Sequence, residues 1–339
     1  MQNKRDVRNV KAISIVTHCY NEEGNAYSMY LSIKNIFKEL PQYNYEHIFI
    51  DNCSTDKTAK ILKEIAQEDK NVKVIVNVRN FGPARSGCHA LFQASGDAII
   101  ALACDFQDPP DLIPQFIQKW EEGYKIVYGQ KLTSEENRLM FFVRTIYYKL
   151  IKFFASVDQL EHVTGFGLYD KSVIEMFRWI DDPNPYLRAT IAELGYEVCL
   201  IQYVQQKRQA GKSSYNLFRY IDTAINGMIN SSRAPLRIAT FTGFVMSFLS
   251  MIIAFIYLIM KLLYWNSFTL GIAPIIIGMF FLGSIQIAFI GIIGEYIGAI
   301  LERVIRRPLI VEKERLNFDK DNLESEMVSK HEERVEEYK

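Results

Sequence analysis

The stretch from Ile238 to Met260 contains no charged side chain, and it limits what the whole chain can fold into. As a helix at about 1.5 Å per residue it would be roughly 34 Å long, enough to cross a bilayer. A second uncharged run lies between Leu262 and Gly294. A helix buried in a soluble core usually keeps a polar stripe, which neither run shows. The pattern therefore predicts two transmembrane helices, at residues 238–260 and 270–294.

Basic side chains flank the two predicted spans. Arg233 and Arg237 precede the first span, and Glu302, Arg303, Arg306 and Arg307 follow the second. Lys261 is the only charged residue between the spans. The positive-inside rule therefore places both termini in the cytoplasm of a multi-pass protein of the plasma (inner) membrane, with residues 261–269 as a short outer loop. Residues 1–11 form a polar N-terminal extension with no signal-peptide pattern.

Between residues 12 and 131, short β-branched runs alternate with segments of helical length. The runs are AISIVTHCY, YEHIFIDNC, VKVIVNV, DAIIALACD and KIVYGQK. This alternation is typical of an α/β domain whose mostly parallel sheet carries helices on both faces. We predict such a Rossmann-like domain over residues 12–215. Ligands of such sheets bind beyond the carboxyl ends of the strands, so residues that directly follow strands are the informative ones.

Polar, turn-rich segments follow each of the first four runs. They are YNEEGN, DNCSTDKT, RNFGPARSG and DFQDPP. Each alone has a structural explanation, since Ser54, Thr55 and Asp56 are good helix-capping residues and FGPARSG suits an ordinary loop. Together the four segments favour a binding site. Asp51 ends the second run, where its oxygens could bind a nucleobase or a ribose.

The segment CDFQDPP predicts a divalent-cation site. Magnesium and manganese take oxygen ligands, commonly one or two carboxylates plus substrate phosphates. Asp105 and Gln107, two apart in an extended segment, would face the same way and could both offer an oxygen. Asp108 and Asp111 have a capping explanation, and we assign Asp111 to capping alone.

Composition excludes several classes of protein. Lys plus Arg equals Asp plus Glu at 39 each, so no net field favours nucleic acid. The chain has no Walker A motif and no G-x-G-x-x-G, which disfavours an ATPase or a dinucleotide enzyme. The five cysteines have no metal-ligand spacing and are expected to be free thiols.

The motifs YNEE, DNCSTD, RNFG, CDFQDPP and GEYIGAILERVIRRP together resemble glycosyltransferase family 2. Within it they are similar to the polyprenyl-phosphate glycosyltransferases, which include bactoprenol glucosyltransferase and dolichyl-phosphate mannose synthase. The resemblance covers residues 12–315 and implies an A-type glycosyltransferase fold for the 12–215 domain. It also implies inverting transfer of a sugar from a nucleotide sugar, with UDP preferred, to polyprenyl (undecaprenyl) phosphate at the cytoplasmic membrane face. The product would be a lipid-linked sugar for modifying cell-surface or cell-wall glycan.

The same resemblance implies the site residues. Those of the nucleotide-sugar site are Tyr20, Asn21, Glu22, Asp51, Asn80, Gly82, Lys212 and Ser213. Those of the metal site, for Mg²⁺ or Mn²⁺, are Asp105 and Gln107, and those expected to carry catalysis are Asp105, Asp108 and Arg208. The cation, Arg208 and Lys212 would stabilise the departing diphosphate. Asp108 would organise the acceptor or a metal-bound water.

The chain departs from the family pattern at several positions. Ala103 stands where the first acidic residue of the metal-binding D-x-D is expected, which implies fewer protein ligands for the cation. Asn52 and Cys53 stand where Asp-Gly is common, and Gly165 and Gly167 interrupt the commoner D-F-R-L pattern. These departures bear on sugar and nucleotide specificity more than on the reaction class.

The remaining segments are predicted to serve the membrane. Residues 137–157 mix aromatic and basic side chains, which predicts an interfacial amphipathic helix, or alternatively a surface helix on the sheet. Residues 216–237 predict a second, juxtamembrane helix, and basic side chains there would hold a lipid phosphate. Within the C-terminal segment, 295–339, the charged part beyond Val311 is expected to be a solvated extension. A homo-oligomer is implied by the family alone.

Two other functions stay open from the sequence. A processive polysaccharide synthase usually carries more spans and a Q-x-x-R-W motif, whereas this chain has QQKRQA. A catalytically silent membrane scaffold or nucleotide-sugar sensor is the other alternative. Ala103 favours it, and the intact Asp105, Gln107 and Arg208 disfavour it.

Overall fold

The computed structural model describes residues 10–132, 163–182, 185, 187–206, 234–263, 272–305 and 308–318. The chain divides into two compact units. One contains Met1–Glu135, Leu160–Ser213 and Arg307–Lys339, and the other contains Glu136–Gln159 and Ser214–Arg306. The predicted helix at 137–157 and residues 216–233 of the predicted juxtamembrane helix lie outside the described residues.

The first unit is built on one eight-stranded sheet. Its strands are β1 (Ala12–Cys19), β2 (Asn44–Asp51), β3 (Val72–Asn77), β4 (Ala98–Ala103), β5 (Ile126–Lys131), β6 (Val163–Asp170), β7 (Val198–Tyr203) and β8 (Glu312–Leu316). The first five coincide with the predicted apolar runs. Their β-branched side chains suit a pleated surface that is covered on both faces.

The strand order is β7-β5-β6-β4-β1-β2-β3-β8. β1 pairs in parallel with β2 and β4, β3 with β2, and β7 with β5. β6 runs antiparallel to both β4 and β5, and β8 runs antiparallel to β3. The predicted α/β fold is confirmed, and its sheet is mixed. Six strands point the same way, because β6 reverses direction between β4 and β5.

Helices cover both faces of the sheet. They are α1 (Ala26–Lys38), α2 (Thr58–Glu68), α3 (Pro83–Phe92), α4 (Ile113–Glu121), α5 (Lys171–Ile180) and α6 (Leu187–Leu194). In α1 the fully buried Met29 and Ile33 and the nearly buried Phe37 recur every four residues, which places them on one face of the helix. One apolar cluster contains Ile13 and Phe49, and the other contains Ile48 and Ile50. Alternate residues of β2 thus enter opposite cores, as a period of two requires.

Strand β8 corrects the expectation for the C-terminal segment. Residues beyond Val311 were expected to be solvated, yet Glu312–Leu316 pairs with β3. Glu312 accepts hydrogen bonds from Arg315 at 2.7 Å (Nε–Oε2) and lies 2.6 Å from His89 on α3 (Nε2–Oε1). The charged composition hid this strand, because edge strands commonly carry charges that are satisfied by neighbouring elements. Residues 319–339 lie outside the described part of the chain.

The second unit contains two long helices, α7 (Ala234–Leu263) and α8 (Ile272–Val304). They contact each other where Gly243 faces Phe289, whose ring lies 3.4 Å from the place a β-carbon would occupy. Large apolar side chains such as Phe244 and Ile287, both 72% exposed, point away from the unit. Among the described residues, α8 is the one helix that passes the length and hydropathy test for a span, over Phe281–Gly298. A second span on α7 stays a prediction.

Candidate active site

The carboxyl ends of six strands meet at one edge of the sheet. β1, β2, β3, β4, β5 and β7 all point toward this edge, which we call the carboxyl edge. The last residues of these strands are Cys19, Asp51, Asn77, Ala103, Lys131 and Tyr203. The segments that follow the first four strands are the ones in which the site was predicted, and the structure brings them together.

Asn21 ties the loop after β1 to the loop after β2. Its backbone adopts the left-handed conformation (φ 57°), which Asn tolerates better than most residues. Its N–H donates to Ser54 Oγ at 2.9 Å, and its Oδ1 accepts the Thr55 N–H at 2.8 Å. The next residue, Glu22, donates its N–H to Thr58 Oγ1 at 2.8 Å. The two loops therefore form one hydrogen-bonded platform.

Asp51 lies at the end of β2, beside this platform, and is 1% exposed. Its Oδ2 accepts the Ser54 N–H at 3.1 Å, while its buried Oδ1 has no hydrogen-bond partner within the described part of the chain. Burial raises the pKa of the Asp51 carboxyl, against the lowering effect of Ser54. A buried carboxylate oxygen is costly to leave unpaired, so this atom suits a ligand N–H or hydroxyl.

Asn52 organises the loop after β3. Its Oδ1 accepts hydrogen bonds from Asn77 Nδ2 at 3.1 Å and from the Phe81 N–H at 3.0 Å. Its Nδ2 donates to Asn80 Oδ1 at 3.0 Å, and that oxygen also accepts the Gly82 N–H at 2.9 Å. An amide at position 52 can serve as donor and acceptor at once, whereas a carboxylate would set two acceptors against each other at Asn80.

The metal motif after β4 forms a tight turn. Phe106 has a left-handed backbone (φ 59°), and the Gln107 N–H donates to Asp105 Oδ1 at 3.2 Å. The expectation that Asp105 and Gln107 share a face of an extended segment is wrong in its geometry. A residue at positive φ reverses the chain, so the alternation of side chains along a strand does not apply here.

Asp108 is a nearly buried carboxyl of the same turn. It is 7% exposed, the Tyr203 hydroxyl donates to its Oδ1, and Lys131 Nζ lies 3.9 Å from the same oxygen. Burial raises the pKa of Asp108 and the charge of Asp105 raises it further, although Lys131 and Tyr203 oppose this shift. Burial and the neighbouring Asp108 also raise the pKa of Tyr203, so its hydroxyl keeps its proton and acts as a donor.

Comparison with known proteins gives the reaction class. The model of the family described as glycosyl transferase family 2 matches residues 14–177. The uncharacterized glycosyltransferase YkcC of Bacillus subtilis is 31% identical over 312 residues, covering 91% of this chain and 96% of the relative. The SfII prophage-derived bactoprenol glucosyl transferase of Shigella flexneri is 31% identical over 302 residues, covering 89% and 97%. The chain belongs to glycosyl transferase family 2. It is a glycosyltransferase.

Similarity of this family 2 chain to solved structures is weaker. The mannosyl-3-phosphoglycerate synthase of Rubrobacter xylanophilus aligns with a TM-score of 0.48 and 16% identity, over 69% of this chain and 75% of that one.

Two residues beside the candidate site were not predicted from the sequence. Lys131 and Tyr203 are opposite each other in the parallel pairing of β5 and β7, and both lie against Asp108. The rule that identified Asp51 and Asp105, that strand ends carry site residues, applies equally to them. Tyr203 was overlooked because β7 follows a long interval without a clear βαβ pattern.

The structure describes the positions of only some of the other predicted site residues. Asn80 and Gly82 lie in the loop held by Asn52, and Tyr20 directly follows β1. Arg208, Lys212 and Ser213 lie outside the described residues, so their roles stay predictions. The roles of the remaining predicted residues also stay predictions.

The capping expectations in the family 2 domain are only partly met. Asp111 lies within a short 3-10 turn, Pro110–Leu112, and neither that turn nor α4 has a side-chain cap. Pro110 is the first residue of the turn and Pro114 is the second residue of α4, and neither has an N–H group that would need a cap. Before α2, Asp56 Oδ1 accepts the Thr58 N–H at 2.9 Å, which agrees with a helix-start role.

Proposed function

We propose that this glycosyltransferase moves a sugar from a nucleotide sugar, UDP-linked, to polyprenyl phosphate at the cytoplasmic face of the membrane, with inversion. The observation that carries the proposal is the carboxyl edge itself. There a buried, half-satisfied Asp51 ends β2, and two buried carboxylates, Asp105 and Asp108, follow β4 of the same sheet. A relative that shares nearly the whole chain length is named a bactoprenol glucosyl transferase.

The donor would occupy the platform formed by the loops after β1, β2 and β3. Asp51 Oδ1 is the atom best suited to accept an N–H or hydroxyl of the nucleoside, because it is buried and lacks a partner among the described residues. The same platform would also contact the donor through the loop residues Tyr20, Asn21, Glu22, Asn80 and Gly82. The choice of UDP over other nucleotides rests on the resemblance to the bacterial members.

The turn after β4 fits a divalent cation by its donor set and its charge. Asp105 and Asp108 are 8% and 7% exposed, and the charge of Asp105 opposes ionisation of Asp108. Asp105 and Gln107 would hold Mg²⁺ or Mn²⁺, which would act as a Lewis acid on the leaving diphosphate. The described residues contain no group of three His, Cys, Asp or Glu that could hold a metal. A site with only one or two protein ligands suits Mg²⁺ and Mn²⁺, because these ions keep substrate and water oxygens as their other ligands.

The acceptor needs little activation. A polyprenyl phosphate is already an anion, so attack on the anomeric carbon requires no strong general base. Asp108, whose pKa is raised mainly by burial, would orient the acceptor or a water rather than remove a proton. Arg208 and Lys212, outside the described residues, are proposed to balance the charge that develops on the diphosphate.

The sheet itself supports an even number of membrane crossings. β8 follows α7 and α8 in the chain, and it pairs with β3, which precedes them. A strand can join the sheet only on the side of the membrane where the sheet lies. If α8 crosses the bilayer, another segment between Tyr203 and Glu312 must cross it back, and α7 is the proposed one. This supports a location of both flanking segments on the same side of the membrane as the sheet, and the positive-inside rule makes the cytoplasm the proposed side.

The test is transfer of labelled sugar to undecaprenyl phosphate by the purified full chain in detergent. A panel of UDP- and GDP-sugars is offered with Mn²⁺, Mg²⁺ or EDTA. We expect a lipid-linked product from one donor, lost with EDTA and in Asp105→Asn. Asp111→Asn, an exposed acidic residue six positions later, is the matched control and should keep activity.

Three results would contradict parts of the proposal. A polymer that grows on a sugar acceptor would indicate a polysaccharide synthase. Nucleotide-sugar binding without transfer from any donor would indicate a scaffold or sensor. A product whose anomeric configuration matches that of the donor, as determined by NMR coupling constants, would overturn inversion.

A further inference from the structure

The C-terminal end of β7 and the residues after it contact the turn after β4 at two points. We call this turn, residues 105–108, the metal turn. The Tyr203 hydroxyl donates to Asp108 Oδ1, and the Gln206 N–H donates to the Gln107 carbonyl at 3.3 Å. The two segments are 95 residues apart in sequence at the first of these contacts. Because the Gln107 N–H in turn orients Asp105 Oδ1, the fastening reaches both residues proposed to bind the cation.

Tyr203 reaches Asp108 across two intervening strands. In the sheet order β7-β5-β6-β4, the turn after β4 is separated from β7 by β5 and β6. The ring of Tyr203 packs edge-on against Phe166 of β6, with 5.7 Å between ring centroids. Phe166 is packed in the same way against Phe116 of α4, at 4.9 Å. The aromatic contacts therefore fix the ring, and the ring carries the hydroxyl to Asp108.

Gly129 of β5 provides the space for this ring. A β-carbon at position 129 would lie 2.9 Å from Cε1 of Tyr203 and 2.8 Å from Cδ1 of Phe166. Those distances are shorter than carbon atoms tolerate, so an alanine here would push one or both rings aside. A glycine inside a strand commonly marks such a close approach.

The metal turn needs outside support. Phe106 holds a left-handed backbone, which is unfavourable for a non-glycine residue. Asp105 and Asp108 repel each other within the same turn. A turn with these two costs keeps its shape only where neighbouring groups hold it. Burial of Phe106 and the two links from the exit of β7 are such groups.

We propose that Tyr203 is a positioning residue of the transferase: its hydroxyl holds the Asp105–Asp108 turn in the shape that binds the cation. The inference rests on the proposed function for the identity of the site. It adds that β7 controls the metal turn, and that the same strand leads directly to the segment that contains Arg208 and Lys212. A hydrogen bond to a metal-site carboxylate that comes from outside the ligand set typically affects metal affinity about tenfold or more.

Tyr203→Phe is the direct test, because it keeps the ring and removes only the hydroxyl. Binding of Mn²⁺ to the full chain in detergent with UDP is measured from the loss of the free-ion electron paramagnetic resonance signal, without turnover. We expect affinity to fall about tenfold. Tyr30→Phe is the matched control. Tyr30 lies on α1, away from the carboxyl edge, and its hydroxyl also donates to a carboxylate, Asp69 Oδ2, at 3.0 Å. It should bind Mn²⁺ like the unmodified chain.

Gly129→Ala tests the contact between Tyr203 and Asp108 by displacing the Tyr203 ring. It leaves the hydroxyl in the chain but moves its ring, so we expect a similar loss of Mn²⁺ affinity. In the double variant with Tyr203→Phe the losses should not add, because both act on one contact. Thermal unfolding of each variant, with the full chain, shows whether the fold is kept.

The outcomes separate this inference from the proposed function. Equal Mn²⁺ affinity of Tyr203→Phe and the unmodified chain would overturn the positioning role, as would additive losses in the double variant or an unmodified chain that binds no Mn²⁺. Weaker binding in Tyr203→Phe alone supports it, even if no donor gives a lipid-linked product. That last result would contradict only the proposed reaction.

Discussion

The two halves of the carboxyl edge are held together by different chemistry. On one side, the loops after β1, β2 and β3 are joined mostly by amide and hydroxyl groups, with Asn21 and Asn52 at the centres of two networks. On the other, the turn after β4 places Asp105 and Asp108 together in a nearly buried position. The first half is held by hydrogen bonds among its own groups, although Asp51 Oδ1 has no partner within the described residues. The second places two nearly buried carboxylates in one turn, and a cation bound there would offset their charge.

Asp105→Asn should give the largest effect and separates activity from stability. We expect transfer to fall at least about a hundredfold, the scale for losing one group that stabilises developing charge. The melting temperature should stay equal or rise, because the variant removes a charge that opposes Asp108. Activity and thermal unfolding measured on the same preparation check this. A melting temperature several degrees lower would mean that the carboxylate stabilises the turn, contrary to the comparison.

Asn52→Ala should lower the stability of the half formed by the loops after β1, β2 and β3. Losing the amide leaves the Phe81 N–H without its partner in a partly buried loop and removes one of the two hydrogen bonds to Asn80 Oδ1. We expect this to cost about 1–3 kcal/mol of unfolding free energy. Denaturant unfolding provides the number. The control is Asn35→Ala on the exposed face of α1, where the change should stay within about 0.5 kcal/mol. Equal effects of the two variants would show that the amide network is dispensable.

The smallest effect is a pH dependence that distinguishes the site carboxyl from one elsewhere. Because the folded pKa of Asp108 is raised, its ionised form costs stability above that pKa, and the cost disappears as the pH falls toward the unfolded value. Asp108→Asn should therefore be more stable than the unmodified chain at pH 7. The difference should shrink on acidification. Unfolding free energies across this pH range check the sign.

Asp170 is the comparison carboxyl for this experiment. Burial alone would raise its pKa, but hydrogen bonds from Lys125, Ser172 and Trp120 outweigh it and lower the pKa to about 2. Its ionised form therefore stabilises the fold above the unfolded pKa, and this is lost as the pH falls through about 2. Asp170→Asn should be less stable at pH 7. The same sign for both variants would contradict the distinction between the site and its surroundings.

Local sequence patterns were sufficient for much of the fold and for part of the site. β-branched apolar runs separated by segments of helical length identified β1 to β5 and the helices between them, because such runs suit strands that are buried on both faces. Strand-end reasoning placed Asp51 and Asp105 at the carboxyl edge, and the structure has them there. It could not describe the turn at Asp105, since the backbone reversal at Phe106 has no marker of its own in the residue types.

By itself, the sequence determined the α/β class, the identity of the carboxyl edge and the membership in glycosyl transferase family 2. Each of these depends on residues that are close in sequence. The tertiary structure decided what depends on distant pairings: the reversed β6 and β8, the return of the C-terminal segment to the sheet, and the contact of Tyr203 with Asp108. Strand order and direction follow from packing of the whole sheet, so no local pattern encodes them.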